Sequence, residues 1–202
     1  WTTTSQTVVD IVKNNATRID VSSFIGSVTD YAKALKTAHN GSGATFDSST
    51  ADKNYLNAVL VYVNSAAYSH LTEAQQAKLV GAMTTIAKEI WAVSDTAEEK
   101  TALYAQLGTF FKTAINKGKT DYQKALALDY ALYTFSVINQ NSATDAAKFL
   151  KTALQVTGGM ESLVTKVKSN INNEQLTTDQ RARLAVVGEK LISQEKYIKQ
   201  AT

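Results

Sequence analysis

The chain has 202 residues, 44% of them apolar and 19% charged, which is enough to build a buried core and argues against intrinsic disorder. It contains no Cys and no Pro and only two His, so disulfides, thiolate chemistry and thiolate zinc sites are excluded and the polypeptide suits long helices. The net charge of +3 is uneven, with eight Lys or Arg against ten Asp or Glu in residues 1–100 and thirteen against eight in 101–202; that excess, with only three Arg, falls short of a nucleic-acid-binding stripe.

Taken in chain order, the elements begin with a short helix near Val8 to Val12. The stripe Phe24, Val28, Tyr31, Leu35 and Ala38 follows at helical spacing. Gly41-Ser42-Gly43-Ala44 and Thr45, Phe46 and Asp47 form a polar connection, and a hinge is expected at 41–48. Ser48, beside Ser49 and Thr50, opens the helix of Tyr55, Leu56, Val59 and Val63. Thr72 with Gln75 is a capping box, in which each side chain satisfies a backbone N–H that a new helix leaves unpaired. It precedes Leu79, Met83, Ile86, Ala87 and Ile90. Thr96 with Glu99 caps the helix of Leu103, Leu107, Phe110, Phe111, Ala114 and Ile115. Thr120 with Gln123 caps that of Leu128, Leu132, Phe135 and Ile138. Thr144 is expected to open the set Phe149, Leu150, Ala153 and Leu154. After a polar turn around Asn170 to Gln175, a second expected hinge, Thr177 with Gln180 opens the helix of Leu184, Val187 and Leu191. No alternating pattern of strand type competes with these stripes.

The starts at 48, 72, 96, 120 and 144 share a 24-residue step, one helix plus a tight turn, and two steps make a hairpin of 48 residues. That length is close to the ~40–47 residues of HEAT and armadillo units. Leu35-Lys36-Thr37-Ala38, Phe111-Lys112-Thr113-Ala114 and Leu150-Lys151-Thr152-Ala153 echo one another before Gly41, Gly118 and Gly158, glycines expected to stop helices. The segments 71–79 and 176–184 are likewise alike. The expected fold is therefore a single all-α domain over 1–202, a right-handed stack of antiparallel helical hairpins of about 8–9 helices. An up-and-down bundle is the alternative. The terminal units of such an array carry a polar outer face, a role that Glu189, Lys190, Glu195, Lys196 and Lys199 fit.

Chemistry is sparse. His39 and His70 lie outside any metal-ligand spacing and read as helix-end histidines. Gly118-Lys119-Thr120 ends like a phosphate loop, but position 113 is Thr113 rather than glycine and a helix precedes it. No Gly-x-Ser-x-Gly elbow is present, and Asp95, Glu98 and Glu99 serve the dipole of a helix start. No catalytic, cofactor-binding or metal-ligating residue is assigned. Lys112, Lys117, Lys119 and Lys124 bracket one turn and are the candidates for contact with an acidic partner. Tyr130 with Tyr133 and the pair Phe110-Phe111 read as core. Among Tyr55, Tyr62 and Tyr68, those left exposed are good protein-contact material.

Residues 32–91 resemble the N-terminal activator region of secreted bacterial collagenases. The matching features are a helix ending in Ala34 and Leu35, then His39-Asn40-Gly41, a polar loop, Asn54-Tyr55-Leu56, and Tyr62 before Ala66-Ala67-Tyr68. The resemblance implies a HEAT-like array holding triple-helical substrate against a separate zinc peptidase unit. An arginine of that family's Tyr-Leu helix is missing, and nothing here resembles the zinc-binding half.

The expected function is a non-catalytic helical-repeat module binding protein through one face. Alternatives are an accessory domain of a secreted peptidase engaging an extended polymer such as collagen, and a membrane-inserting helical bundle, the least favoured. No run reaches the length of a membrane-spanning helix, so a soluble chain is expected. The partner is a protein or an extended polymer, not nucleic acid. The cysteine-free, Ser-, Thr- and Asn-rich composition fits a secreted or surface protein of bacterial type, and Trp1 in place of Met fits a processed or excised fragment.

Overall fold

The computed structural model describes residues 10, 12, 14–39, 49–93 and 96–202, with only the backbone given at 17, 38, 39, 49–52 and 90–93. Among the described residues the secondary structure is entirely helical. The α-helices are α1 (Val21–His39), α2 (Ser49–Asn64), α3 (Glu73–Val93), α4 (Ala97–Lys117), α5 (Asp121–Asn139), α6 (Ala143–Ala153), α7 (Met160–Asn170), α8 (Thr178–Ser193) and α9 (Glu195–Ala201). Short 3-10 turns cover Ala16–Arg18 and Ala66–His70.

The caps are local chemistry, and four of them form as the sequence requires. At Thr72, Thr96, Thr120 and Thr177 the hydroxyl accepts the N–H of the residue three positions on, at 3.1–3.2 Å, and the Gln or Glu side chain there accepts the N–H of the threonine. The fifth start is corrected. The cap of α6 is Ser142, not Thr144, because the chain leaving α5 folds back within three residues, Ser142 N–H donating to Ile138 O at 2.9 Å. The serine then stands where a hydroxyl must accept from Asp145 N–H, at 3.2 Å, and Thr144 falls inside the first turn. Ser48 lies outside the described residues, as do 41–48, where the hinge was expected, and Val8. The turn at 170–175 is closed by hydrogen bonds, among them Asn173 Nδ2 to Asn170 Oδ1 at 2.8 Å and Gln175 N–H to Asn173 Oδ1 at 3.0 Å.

Packing alternates along the chain. α3 lies against α1 and α5, and α5 against α8; α4 lies against α2 and α6, and α6 against α9. Odd-numbered α1, α3 and α5 continue into α8 as one layer; even-numbered α2, α4 and α6 make the other. Neighbours in sequence, α3 with α4, α4 with α5 and α5 with α6, join the layers. Contact between every second helix is the signature of a stacked array, whereas an up-and-down bundle is held by sequential neighbours. The chain is thus an all-α helical array, and one buried apolar cluster runs through it from Val12 to Ile198.

Position in the stack explains the aromatic residues. α4 is covered by its own layer and by the odd layer, so Phe110 and Phe111, which point in different directions, are both fully buried. Their rings meet edge-on at 5.2 Å, and Phe111 meets Phe149 of α6 at 5.7 Å. Tyr62 and Tyr68 are buried, Tyr62 stacked on Phe24 at 4.0 Å. Tyr55 is half-buried, stacked on Tyr31 at 4.1 Å.

Two expectations about glycine and the end of the chain need revision. Gly118 ends α4 with φ −54°, not in a left-handed conformation. What requires glycine is space, since a Cβ there would sit 2.8 Å from Lys124 Cγ and 2.9 Å from its backbone N. Positive φ occurs at Gly158 (86°) and Gly159 (85°), in the loop before α7; Gly41 lies outside the described residues. At the C-terminal end, Lys190 does not face outward as expected. It turns in to a buried carboxylate, while Ile192 is 76% exposed.

Candidate functional site

The four candidate lysines do not form one free cationic patch. Lys112 Nζ donates to Gln155 Oε1 at 2.7 Å. Lys117 Nζ donates to the carbonyls of Asn64 and Ser65, at 2.5 and 3.1 Å, and so caps the C-terminal end of α2, where positive charge is favoured. Burial holds its pKa below the usual lysine value. The Lys124 side chain runs beneath Gly118, and Lys119 is exposed. Two of the four therefore serve internal joints. His70 is exposed at the end of its 3-10 turn, and the side chain of His39 and all of Asp95 lie outside the described residues. Among the described residues no three His, Asp or Glu gather as a metal cluster would, and no helix is long and apolar enough to cross a membrane.

The outer side of the odd layer is more informative. On the side of α1 turned away from α2, Ser22, Gly26, Thr29, Lys33 and Lys36 recur every three or four residues; on α3 they face Gln75, Lys78, Ala82 and Thr85. Small side chains at the centre of both rows leave a groove of about 690 Å³ between the helices. A Cβ built on Gly26 would meet nothing within 4 Å. Buried Ile25, Ala32 and Ala82 form an apolar floor. The charged rim is Lys33, Lys36 and Lys78, with Asp30 paired to Lys33 at 3.3 Å. Clefts of this volume fall within the range that holds small ligands.

The next furrow along the same layer is filled. Tyr122, Leu126, Tyr130 and Tyr133 stand one helical turn apart on the outer side of α5, opposite its buried Leu128, Leu132 and Phe135. Tyr130 lies over Gly81 of α3, its ring carbons 3.8 Å from where a Cβ would be, and under the guanidinium of Arg183 of α8, 5.9 Å from its ring centre. Only about 10 Å³ of open space remains between Tyr130, Tyr68 and Gln76. Tyr133, read from sequence as core, is 50% exposed, with Lys190 of α8 5.8 Å above its ring.

Beneath this ridge sits Asp129, 1% exposed, whose two carboxylate oxygens accept from Arg183 and Lys190. Spaced i and i+7 on α8, the two cations reach one carboxylate on α5 and close the layer there. Thr134 Oγ1 bonds Thr84 Oγ1 at 3.1 Å across α5 and α3, and Gln194 Nε2 donates to Ser136 Oγ at 2.8 Å. At the N-terminal ends of α3, α5 and α8, Glu73 Oε2 accepts from Gln180 Nε2 at 3.4 Å while Oε1 is buried with no hydrogen-bond partner. Burial pushes the Glu73 carboxyl above its ordinary pKa and does the same to the neighbouring Tyr122 phenol.

Neither the groove nor Asp129 was found from sequence. A stripe reports which side of a helix is apolar, not whether the neighbour fills the space beside it. The available signal for Asp129 was a lone carboxylate inside an otherwise apolar run, matched to the i, i+7 pair Arg183 and Lys190. No family model matches this chain, and no curated protein or solved structure matches it.

Proposed function

We propose that this chain is a non-catalytic helical-repeat module of HEAT-like build, belonging to a secreted or surface protein, that holds a protein partner along the outer side of its odd-numbered layer. The observation that carries the reading is the open groove between α1 and α3, with a preformed apolar floor and charged rim, beside the aromatic ridge of α5. Half-exposed tyrosine held by a cation supplies large contact area at low entropic cost, the profile of an interface anchor.

The test compares retention of proteins by the wild-type chain, by Gly26→Leu, which fills the groove, and by Tyr133→Ala, which trims the ridge. A protein retained by the wild type and lost by both variants supports the reading. Retention indifferent to both, or substrate turnover that depends on a single Ser, His, Asp or Glu, overturns it.

A second reading, an accessory domain of a secreted peptidase engaging an extended polymer, draws on the place of the groove. Residues 32–91, which resemble the collagenase activator region, include the end of α1 and most of α3, the two groove helices. Retention on immobilised collagen that Gly26→Leu abolishes favours this version over a globular partner.

A further inference from the structure

We infer that the groove between α1 and α3 receives an extended, acidic peptide segment of a partner protein; this rests on the protein-binding reading and narrows its chemistry. Three features of the groove point there. The first is length. Ser22 to Lys36 on α1 spans about 21 Å at the helical rise of 1.5 Å per residue, which matches about six residues of extended chain at roughly 3.3 Å each. The second is the layered chemistry. Ile25, Ala32 and Ala82 pave the floor, whereas the lysines stand on the rims. An extended chain presents alternate side chains to opposite sides, so one set faces an apolar floor while the other emerges between the rims.

The third feature is charge. Three lysines and one carboxylate line the groove, and that carboxylate, Asp30, is engaged by Lys33 from within α1. Lys36 and Lys78, on opposite helices, have no hydrogen-bond or ion-pair partner among the described residues, and Lys36 and Lys78 are exposed. Complementary charge steers association and selects against neutral or basic partners, because long lysine stems reach across a rim without having to be desolvated. Thr29 and Thr85 donate their hydroxyl protons within their own helices, to Ile25 O and Gly81 O, and Gln75 Oε1 accepts the Thr72 N–H, which leaves two hydroxyl oxygens to accept from a peptide backbone and the Gln75 amide N–H to donate to it.

The closing experiment measures fluorescence anisotropy of labelled peptides of about eight residues, long enough to fill the groove in extended form. Three peptides alternate Val with Glu, with Gln or with Lys. The Glu peptide is expected to bind wild-type chain, about tenfold or more tighter than the Gln peptide, and to weaken as salt rises from low to about 0.5 M. The doubly reversed Lys36→Glu, Lys78→Glu variant is expected to lose about tenfold or more in affinity for the Glu peptide and to gain for the Lys peptide. Gly26→Leu should abolish binding of all three, and its thermal unfolding, which should not fall, shows that the chain still folds. Equal binding of Glu and Gln peptides, both blocked by Gly26→Leu, overturns the acidic partner but leaves the groove as a protein site. Glu-peptide binding unchanged by Gly26→Leu overturns the location. No peptide binding at all, or a dimer in sedimentation that Gly26→Leu dissociates, overturns the inference in favour of another occupant. None of these peptide outcomes by itself defeats the broader reading, which falls on retention of whole proteins that is indifferent to both the groove and the ridge variants.

Discussion

The two furrows on the odd layer are built on the same plan and finished differently. Between α1 and α3 the facing positions are Ser22, Gly26, Thr29 and Ala82, and about 690 Å³ is left open. Between α3 and α5 the corresponding space is taken by the tyrosines of α5, and a buried carboxylate draws two cations of α8 over them. Side-chain volume at a few outward positions thus decides whether a step of the array is surface or interior. A glycine opposite a tyrosine, Gly81 under Tyr130, makes a joint; a glycine opposite nothing, Gly26, makes a groove.

The sharpest way to break this comparison is to disarm the closed step. Arg183→Met together with Lys190→Met strands the Asp129 carboxylate, which is 1% exposed, without its cations. Breaking a buried pair by removing one side costs about 3–5 kcal/mol, because the remaining charge is desolvated and uncompensated. Since the two cation side chains are 38% and 30% exposed, the expected loss lies at the lower end, near 3 kcal/mol by that same scale. Urea unfolding measures it. Adding Asp129→Leu to the double variant should return most of the loss, as apolar replacement of a whole buried ion cluster often does. A double variant as stable as the wild type would show that tyrosine packing, not Asp129, closes the step. Binding in the open groove should be untouched in all of these.

How much of this is legible in the sequence follows from the range of each interaction. Thr72, Thr96, Thr120 and Thr177 were legible because a capping box is complete within four residues. Thr144 misled because the start of α6 depends on how the chain leaves α5 at Ile138, and two residues of turn decide which hydroxyl is in place. The alternation of layers was foreshadowed by the even step of the caps. Lys112 and Lys117 are near each other in sequence, yet their acceptors lie far off on either side, Gln155 43 residues on and the carbonyls of Asn64 and Ser65 53 and 52 residues back. Asp129 finds its cations 54 and 61 residues on, a pairing no local pattern contains. The groove is further out of reach still, being defined by atoms that small residues do not have.

A smaller effect sharpens the contrast by using the same substitution with opposite sign. Gly108 of α4 packs so close to α6 that an added Cβ would lie 3.1 Å from Phe149 O and 3.1 Å from Thr152 Cβ, whereas one added at Gly26 meets nothing within 4 Å. Gly26→Ala should stabilise by about 0.5–1 kcal/mol, the helix-propensity gain alone. Gly108→Ala should gain the same propensity but lose roughly 1–3 kcal/mol to overpacking against a backbone carbonyl that cannot rotate away. Denaturant midpoints of the two variants are therefore expected on opposite sides of the wild type. Two shifts of the same sign would mean that the α4–α6 joint is looser than its close contacts require.

The smallest effect concerns the point where the helices of the closed step begin. Glu73 accepts one amide bond from Gln180 and has its second oxygen buried with no partner, so burial raises its pKa above the ordinary value. A carboxyl whose pKa is higher folded than unfolded favours the native state only when protonated. Its contribution is fully present below the unfolded value of about 4.3 and is lost as pH rises through the folded value. At pH 7 the ionised group is therefore a net burden on the junction of α3 and α8. Glu73→Gln removes the charge and keeps an oxygen able to accept from Gln180. The variant should melt higher than the wild type at pH 7, and the two curves should converge below about pH 4, where both side chains are neutral. Its gain is trimmed by loss of a favourable carboxylate at the start of α3, an interaction of about 0.3–1 kcal/mol when exposed. A variant that melts lower at pH 7 would mean that the helix dipole outweighs desolvation at this residue, and that the junction is held by the charge rather than in spite of it.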